Sequence, residues 1–144
     1  MVESLDETNR FPHVEVLDRT MNALLAELQL DDREVTLVLV DDDSMRRQNH
    51  EHRGEDAPTD VLSYPTGEPD DSDIPTVAHL GDIFISVDTA QRQAAEHGHD
   101  LLTETLILAA HGLTHLLGYD HQTEDSWDIF RETQQRILAL KPAS

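Results

Sequence analysis

The sequence contains no cysteine, which excludes disulfides and thiolate metal ligands together, so any metal site must be built from His, Asp or Glu. Lysine is nearly absent as well: Lys141 stands alone, and the other nine basic residues are arginine. Aromatic residues are too sparse to mark a platform for stacked bases; Tyr64 and Tyr119 are candidates, each equally suited to the core. No apolar run approaches the length needed to cross a membrane. The start, MVESLDETNR, lacks the basic first residues and apolar middle of a secretory signal. The expectation is a soluble cytoplasmic protein without membrane association. There are no internal repeats and no low-complexity tract.

Acid is what the chain has in excess. Thirty acidic residues against ten basic ones give a formal net charge of -20. Such a surface serves solubility, including in a salty cytoplasm. It argues against nonspecific nucleic-acid binding by the whole surface, and no DNA partner is expected, but a local basic groove stays compatible with it. A length of 144 residues fits one domain, taken as 1–144, with one core.

Apolar spacing divides the chain into elements. In 16–30, Leu17, Met21, Leu24, Leu25 and Leu28 recur as one helix face. VTLVLVD (35–41) is β-branched with little alternation and predicts a buried strand. Asp43 or Ser44 is placed to cap a short helix over 45–52. TDVLSYP (59–65) predicts a second strand between two prolines, 66–78 a loop, and HLGDIFISV (79–87) a third strand. Asp88 is expected to cap a helix that Gly98 closes. The almost wholly apolar 101–117 predicts a central buried helix, and 125–140 an amphipathic one with Trp127, Phe130, Ile137 and Leu138 inward. The predicted class is α+β: a small mixed β-sheet packed with helices, in a zincin-like domain whose central buried helix carries metal ligands.

The chemistry concentrates in HGLTHLLGYDH (111–121). His111 and His115 are four residues apart, which on a helix stacks both imidazoles on one face, as two ligands of one metal require. Gly118 can adopt a left-handed conformation, end the helix and turn the chain so that His121 becomes a third ligand. Three histidines around one Zn²⁺ leave the fourth position to water, the catalytic arrangement rather than the structural one. Imidazoles without thiolate suit zinc, nickel or copper better than calcium or magnesium. Burying two imidazoles in LILAAHGLTHLL without partners is costly, and a metal relieves that cost. The other six histidines, His13, His50, His52, His79, His97 and His99, sit in polar surroundings and are expected to be solvated. The spacing is similar to the zinc signature of metzincin proteases, with one departure: the general-base Glu after the first His is here Gly112, which weakens a protease reading.

Three blocks together resemble the YbeY family of bacterial endoribonucleases: Arg53 with APTDVLSYP (57–65), HLGDIFISVDTA (79–90) and HGLTHLLGYDH (111–121). With the strand VTLVLVD they span roughly residues 35–121, and the third block is the most specific. Thr114 departs from the aliphatic residue usual in the family, but lies off the two-histidine face. The resemblance implies a zinc-dependent endonuclease selective for single-stranded RNA, acting in ribosomal RNA maturation at the small-subunit 3′ end and in ribosome quality control, with the small ribosomal subunit as partner. It also raises Arg53, because the family has an important arginine at the matching place. A guanidinium there suits the charge of a developing phosphorane, and Arg53 and His115 are the candidate catalytic residues. Arg46, Arg47 and Arg53, with His50 and His52, form the chain's only basic cluster. It lines an RNA path or is a solvated helix face. Asp120 is a candidate to orient a ligand imidazole. Two alternatives are a metalloprotease-like hydrolase of another substrate and a nonenzymatic ribosome-associated zinc protein.

Overall fold

Alternation along one strand sorts the molecule into layers. β2 (Glu34–Val40) turns Val35, Leu37 and Leu39 to one face and Val38 and Val40 to the other, and all five are buried. A strand covered on both faces reads as a continuous apolar run, which is how this segment looks in sequence. The computed structural model describes residues 1–66, 79–119 and 124–142, with 124 and 125 as backbone only. β1 (Val2–Asp6) and β4 (His79–Ser86) flank β2 and run parallel to it, while β3 (Val61–Pro65) pairs antiparallel with β4. The sheet order is β1-β2-β4-β3.

The helices are α1 (Val14–Glu27), α2 (Asp42–Arg53), α3 (Val87–His97), α4 (Leu101–Leu116) and α5 (Glu124–Leu140). One face of the sheet meets α1, α3, α4 and α5 in a core that includes Leu17, Met21, Leu37, Ile83, Leu106 and Leu113. The opposite face is covered by α2, whose Met45 packs with Val38, Val40 and Leu62, edged by Tyr64 and Phe84. The mixed sheet with a central buried helix is the architecture that the apolar pattern implies. Among the described residues no helix is long and apolar enough to cross a membrane.

Several expectations are corrected. The N-terminus forms a strand, β1, with Val2 and Ser4 buried and Glu3 and Leu5 exposed. Only one apolar residue faces inward there, so periodicity does not reveal it. The cap of α2 is Asp41, not Asp43 or Ser44; its carboxylate accepts the Ser44 N–H at 2.8 Å. The cap of α3 is Ser86, whose hydroxyl accepts the Thr89 N–H, rather than Asp88. Trp127 is 39% exposed, not core: it stands in the first turn of α5, with its ring 6.1 Å from that of fully buried Phe130.

Asp88 is occupied elsewhere. Its Oδ2 accepts the Asp42 N–H at 2.9 Å and its Oδ1 a bond from Arg10 at 2.6 Å. Asp42 in turn accepts from Ser86 Oγ at 2.6 Å and Thr89 Oγ1 at 2.7 Å, and pairs with Arg92 at 3.0 Å. These bonds tie the starts of α2 and α3 together. Burial alone would raise the Asp42 carboxyl, but the bonds from Ser86, Thr89 and Arg92 prevail and hold it below its ordinary value. Arg10, then the Asp42 N–H, hold Asp88 down likewise.

From Glu104 to Leu116 every residue of α4 is buried except His111 and His115. The helix lies close to the sheet because Gly112 has no side chain. A Cβ there would stand 2.7 Å from Ile83 Cγ2 and 3.2 Å from Ser63 Oγ, and Ser63 Oγ donates to the Gly112 carbonyl at 3.1 Å. The next approach is equally tight: Gly81, at φ +150°, would bring a Cβ 2.4 Å from the Tyr64 carbonyl.

Two outcomes follow from this packing. Gly112→Ala gains about 1 kcal/mol of helix propensity, but forcing a methyl into buried Ile83 costs roughly 1–3 kcal/mol. The variant is expected to be less stable in urea unfolding; an equal or higher midpoint would show that the contact yields. Asp88→Ala is expected to lose about 1–2 kcal/mol at pH 7. Because the folded pKa is depressed, this contribution is present above the unfolded value of about 3.9 and disappears as pH falls through the folded one. The gap between wild type and variant, measured by unfolding across pH 2–7, should therefore close at the acid end; a constant gap contradicts the assignment.

Candidate functional site

The end of α4 behaves as its sequence requires. Asp100 caps its start by accepting the Thr103 N–H at 2.8 Å. At the other end Gly118 adopts φ +99°, and its N–H bonds the His115 carbonyl at 2.9 Å. The chain turns out of the helix at the expected place. Asp120 and His121, the expected orienting acid and third ligand, lie outside the described residues.

Both helix imidazoles are held by more than the helix. Each ring packs edge-on against Phe130, His111 at 5.7 Å and His115 at 4.8 Å between centroids. His115 Nδ1 lies 3.1 Å from the Tyr119 carbonyl, a contact that fits a ring donating from Nδ1 and directing Nε2 elsewhere. His111 Nε2 lies 2.9 Å from Gln134 Oε1 on α5. Gln134 went unnoticed in sequence; its signal is a polar residue between Phe130 and Ile137, both fully buried. Thr114 points into the core, where its hydroxyl donates to the Ala110 carbonyl at 2.8 Å, so the departure from an aliphatic residue is satisfied within the helix.

His111 and His115 open on a cleft of about 410 Å³, lined also by Arg53, Asp60 and Ser63. Arg53 is the last residue of α2; Gly54 follows at φ +73° and closes the helix with an N–H bond to the His50 carbonyl. Asn49, buried on α2, donates to the Ala57 carbonyl at 2.8 Å and pins the segment that leads into β3. The Asp42–Asp88 bonds fix the other end of the same helix, so α2, which carries Arg53 as its last residue, is held at both ends. Burial raises the Tyr64 hydroxyl, and the neighbouring Arg53 cation offsets part of that rise.

The rest of the basic cluster has a different setting. Arg46 faces Asp56 at 3.7 Å and Arg47 donates to Ser44 Oγ at 3.3 Å, both on exposed surface. Asp60 accepts the Val61 N–H at 2.8 Å and a bond from Gln93 at 3.3 Å, which is structural work, yet it also lines the cleft. Asp82 pairs with His79 at 3.0 Å.

A second cavity of about 430 Å³ shares Asp60 and His111 with the first and reaches Gln134, His97, His99 and Glu104. Here His97 is exposed, as expected, while His99 is half-buried, and both rings are engaged by a buried acid. Glu104 is only 3% exposed, and its Oε1 lies 3.0 Å from His97 Nδ1 and 2.5 Å from His99 Nε2. Hydrogen bonding to Glu104 raises the His97 pKa. The three side chains bring donor atoms within 4.8 Å of one another, a group able to hold a metal ion. The clue in sequence is a glutamate at the start of an otherwise apolar helix.

Comparison with known proteins agrees with this architecture. The solution structure of TM1509 from Thermotoga maritima superposes with a TM-score of 0.66 at 25% identity, covering 96% of this chain and 90% of that one. An "Endoribonuclease YbeY" of Thermus thermophilus is 53% identical over 124 residues, 86% of this chain and 88% of its own. The protein of that name in Deinococcus radiodurans is 47% identical over 138 residues, 88% of each chain. That of Geobacillus kaustophilus is 40% identical over 148 residues, 96% of this chain and 94% of its own. The profile of the family described as Endoribonuclease YbeY matches residues 3–141, and the chain belongs to that family.

Proposed function

We propose that this protein is a zinc-dependent endoribonuclease that cleaves single-stranded RNA in ribosomal RNA maturation, at the small-subunit 3′ end, and in ribosome quality control. It works in the cytoplasm, at the small ribosomal subunit, as a single domain. The observation that carries this reading is the meeting of Arg53, His111 and His115 on one cleft in a chain of the Endoribonuclease YbeY family.

The residues fit the metal. Two neutral nitrogen donors one helical turn apart, without thiolate, are a usual part of a catalytic zinc site. Each ring is oriented by an oxygen, of Tyr119 or of Gln134, as ligand histidines commonly are. His121 is the proposed third ligand and Asp120 the acid that orients it. Bound zinc supplies Lewis acidity toward a phosphoryl oxygen and acidifies water. The chain's own residues do the rest. Arg53 binds the scissile phosphate and steadies its growing negative charge, as a planar cation with paired donors does well. Arg46 and Arg47 attract the flanking backbone from the exposed face of α2. Phe130 and the apolar flank of α4 exclude water from behind the imidazoles.

The metalloprotease alternative meets a physical obstacle. A glutamate at 112 would bring its Cβ to 2.7 Å from Ile83 Cγ2, so restoring that base requires the helix or the sheet to shift. A nonenzymatic zinc protein predicts metal without cleavage, and assay decides it.

His115→Ala, or a chelator, is expected to abolish cleavage of single-stranded RNA together with the bound zinc. Arg53→Ala should lower kcat by about 10²-fold with zinc content unchanged, as loss of one electrostatic donor does. Full activity in Arg53→Ala would remove the proposed phosphate contact. Gln134→Ala should weaken zinc binding by roughly 10-fold, read by competition with a chromogenic chelator. Mass analysis of the products separates the two chemistries: a cyclic phosphate marks attack by the ribose 2′-hydroxyl, a free 3′-hydroxyl attack by water.

A further inference from the structure

We propose that His97, His99 and Glu104 form a second binding site for a divalent transition-metal ion, separate from the His111–His115 centre. A carboxylate held 97% out of solvent is costly to leave without close polar partners. What the fold brings to Glu104 is a pair of imidazoles, and these are neutral or cationic depending on pH. A bound cation satisfies the same carboxylate and leaves both rings in their neutral, ligating form.

The backbone supplies the geometry. Gly98, at φ +73°, ends α3 and reverses the chain between the two histidines, so that residues two apart in sequence meet one carboxylate. The Asp100 cap fixes the first turn of α4, and the Glu104 N–H bonds the Asp100 carbonyl at 3.1 Å, which holds Glu104 beneath them. Two nitrogens and one oxygen suit zinc, nickel or cobalt rather than calcium. Bonds of about 2.0–2.1 Å in a tetrahedral site separate ligand atoms by roughly 3.4 Å. The 2.5 Å contact of His99 with Glu104 must open by about that difference, a small rotation for a ring that is 28% exposed. The adjoining cavity of about 430 Å³ leaves room for water to complete the coordination.

Glu104 and His111 are seven residues apart on one helix, about 10 Å along the axis. That is too far for a bridged two-metal centre, whose ions lie about 3.5–4 Å apart. The two sites therefore bind independently, at opposite ends of a continuous space. Because the second ion needs none of the residues proposed for RNA cleavage as ligands, its failure and the failure of that function are separable.

The test uses the full-length double variant His111→Ala/His115→Ala, which disables the first centre. Zinc titration by equilibrium dialysis is expected to show one ion bound per chain. The side-chain ¹⁵N resonances of His97 and His99 should shift together over the same titration. His97→Ala, at a half-exposed position where folding is not at stake, should then weaken that ion at least 10-fold, and Glu104→Gln should remove it. Circular dichroism checks that both remain folded. Failure of the double variant to bind zinc with unmoved His97 and His99 resonances would overturn the site. So would zinc binding indifferent to His97→Ala; the cluster would then be a proton-sharing hydrogen-bond network.

Discussion

The contact between α4 and the sheet governs everything else in this molecule. A buried apolar helix must lie close to the strands it covers, and Gly112 permits an approach that no other residue would. Once that distance is set, α4 has little rotational freedom. Its hydrophobic surface is consumed by β3, β4, α1 and α5, and the only residues left at the margin after Glu104 are His111 and His115. The same glycine removes the side chain that a zinc protease would use as base. Packing and chemistry are thus coupled at one residue: the position that lets the helix dock is the position that denies it a carboxylate.

The second determinant is how a very acidic chain manages its charge. With a net charge of -20, a polyanion is repelled by most of the surface. Screening at physiological salt confines each charge to about 8 Å, so what an RNA meets inside the cleft is the local set of groups. There Arg53 shares the cleft with the two imidazoles. Two acids are bound in place: Asp42 and Asp88 spend their oxygens on Ser86, Thr89, Arg92, Arg10 and a helix N-terminus. Those bonds are also what orients α2 and hence Arg53. Among the described residues, Asp60 is the one carboxylate that lines the cleft.

Glu104 represents the opposite case, a carboxylate drawn out of water and surrounded by titratable rings. It sits where α3 hands over to α4, beside the wall of the cavity that also reaches His111. A charge at that junction bears on the same helix that carries His111 and His115.

Local pattern and long-range contact contributed differently to this structure. The strands β2 and β4, the helices, the turn at Gly118 and the stacking of His111 and His115 on one helix face follow from spacing alone, because period 2, period 3.6 and a left-handed glycine are properties of the chain itself. So does the class of chemistry: without cysteine, histidines four apart leave a nitrogen-ligated metal as the natural reading. The strand β1, with one apolar residue facing inward, exists only because β2 offers it a hydrogen-bonding edge. The use of Asp88 as a bridge rather than a cap depends on α2 lying beside α3. The gathering of His97, His99 and Glu104 depends on the burial of Glu104 between helices, while the bond from His111 to Gln134 and the sharing of one cleft by Arg53, His111 and His115 join residues far apart in the chain. Sequence determined the elements with a strong apolar period and which donor atoms exist. Tertiary packing alone decided which of those donors share a cavity, since burial and counter-charge are properties of neighbours that no single segment contains.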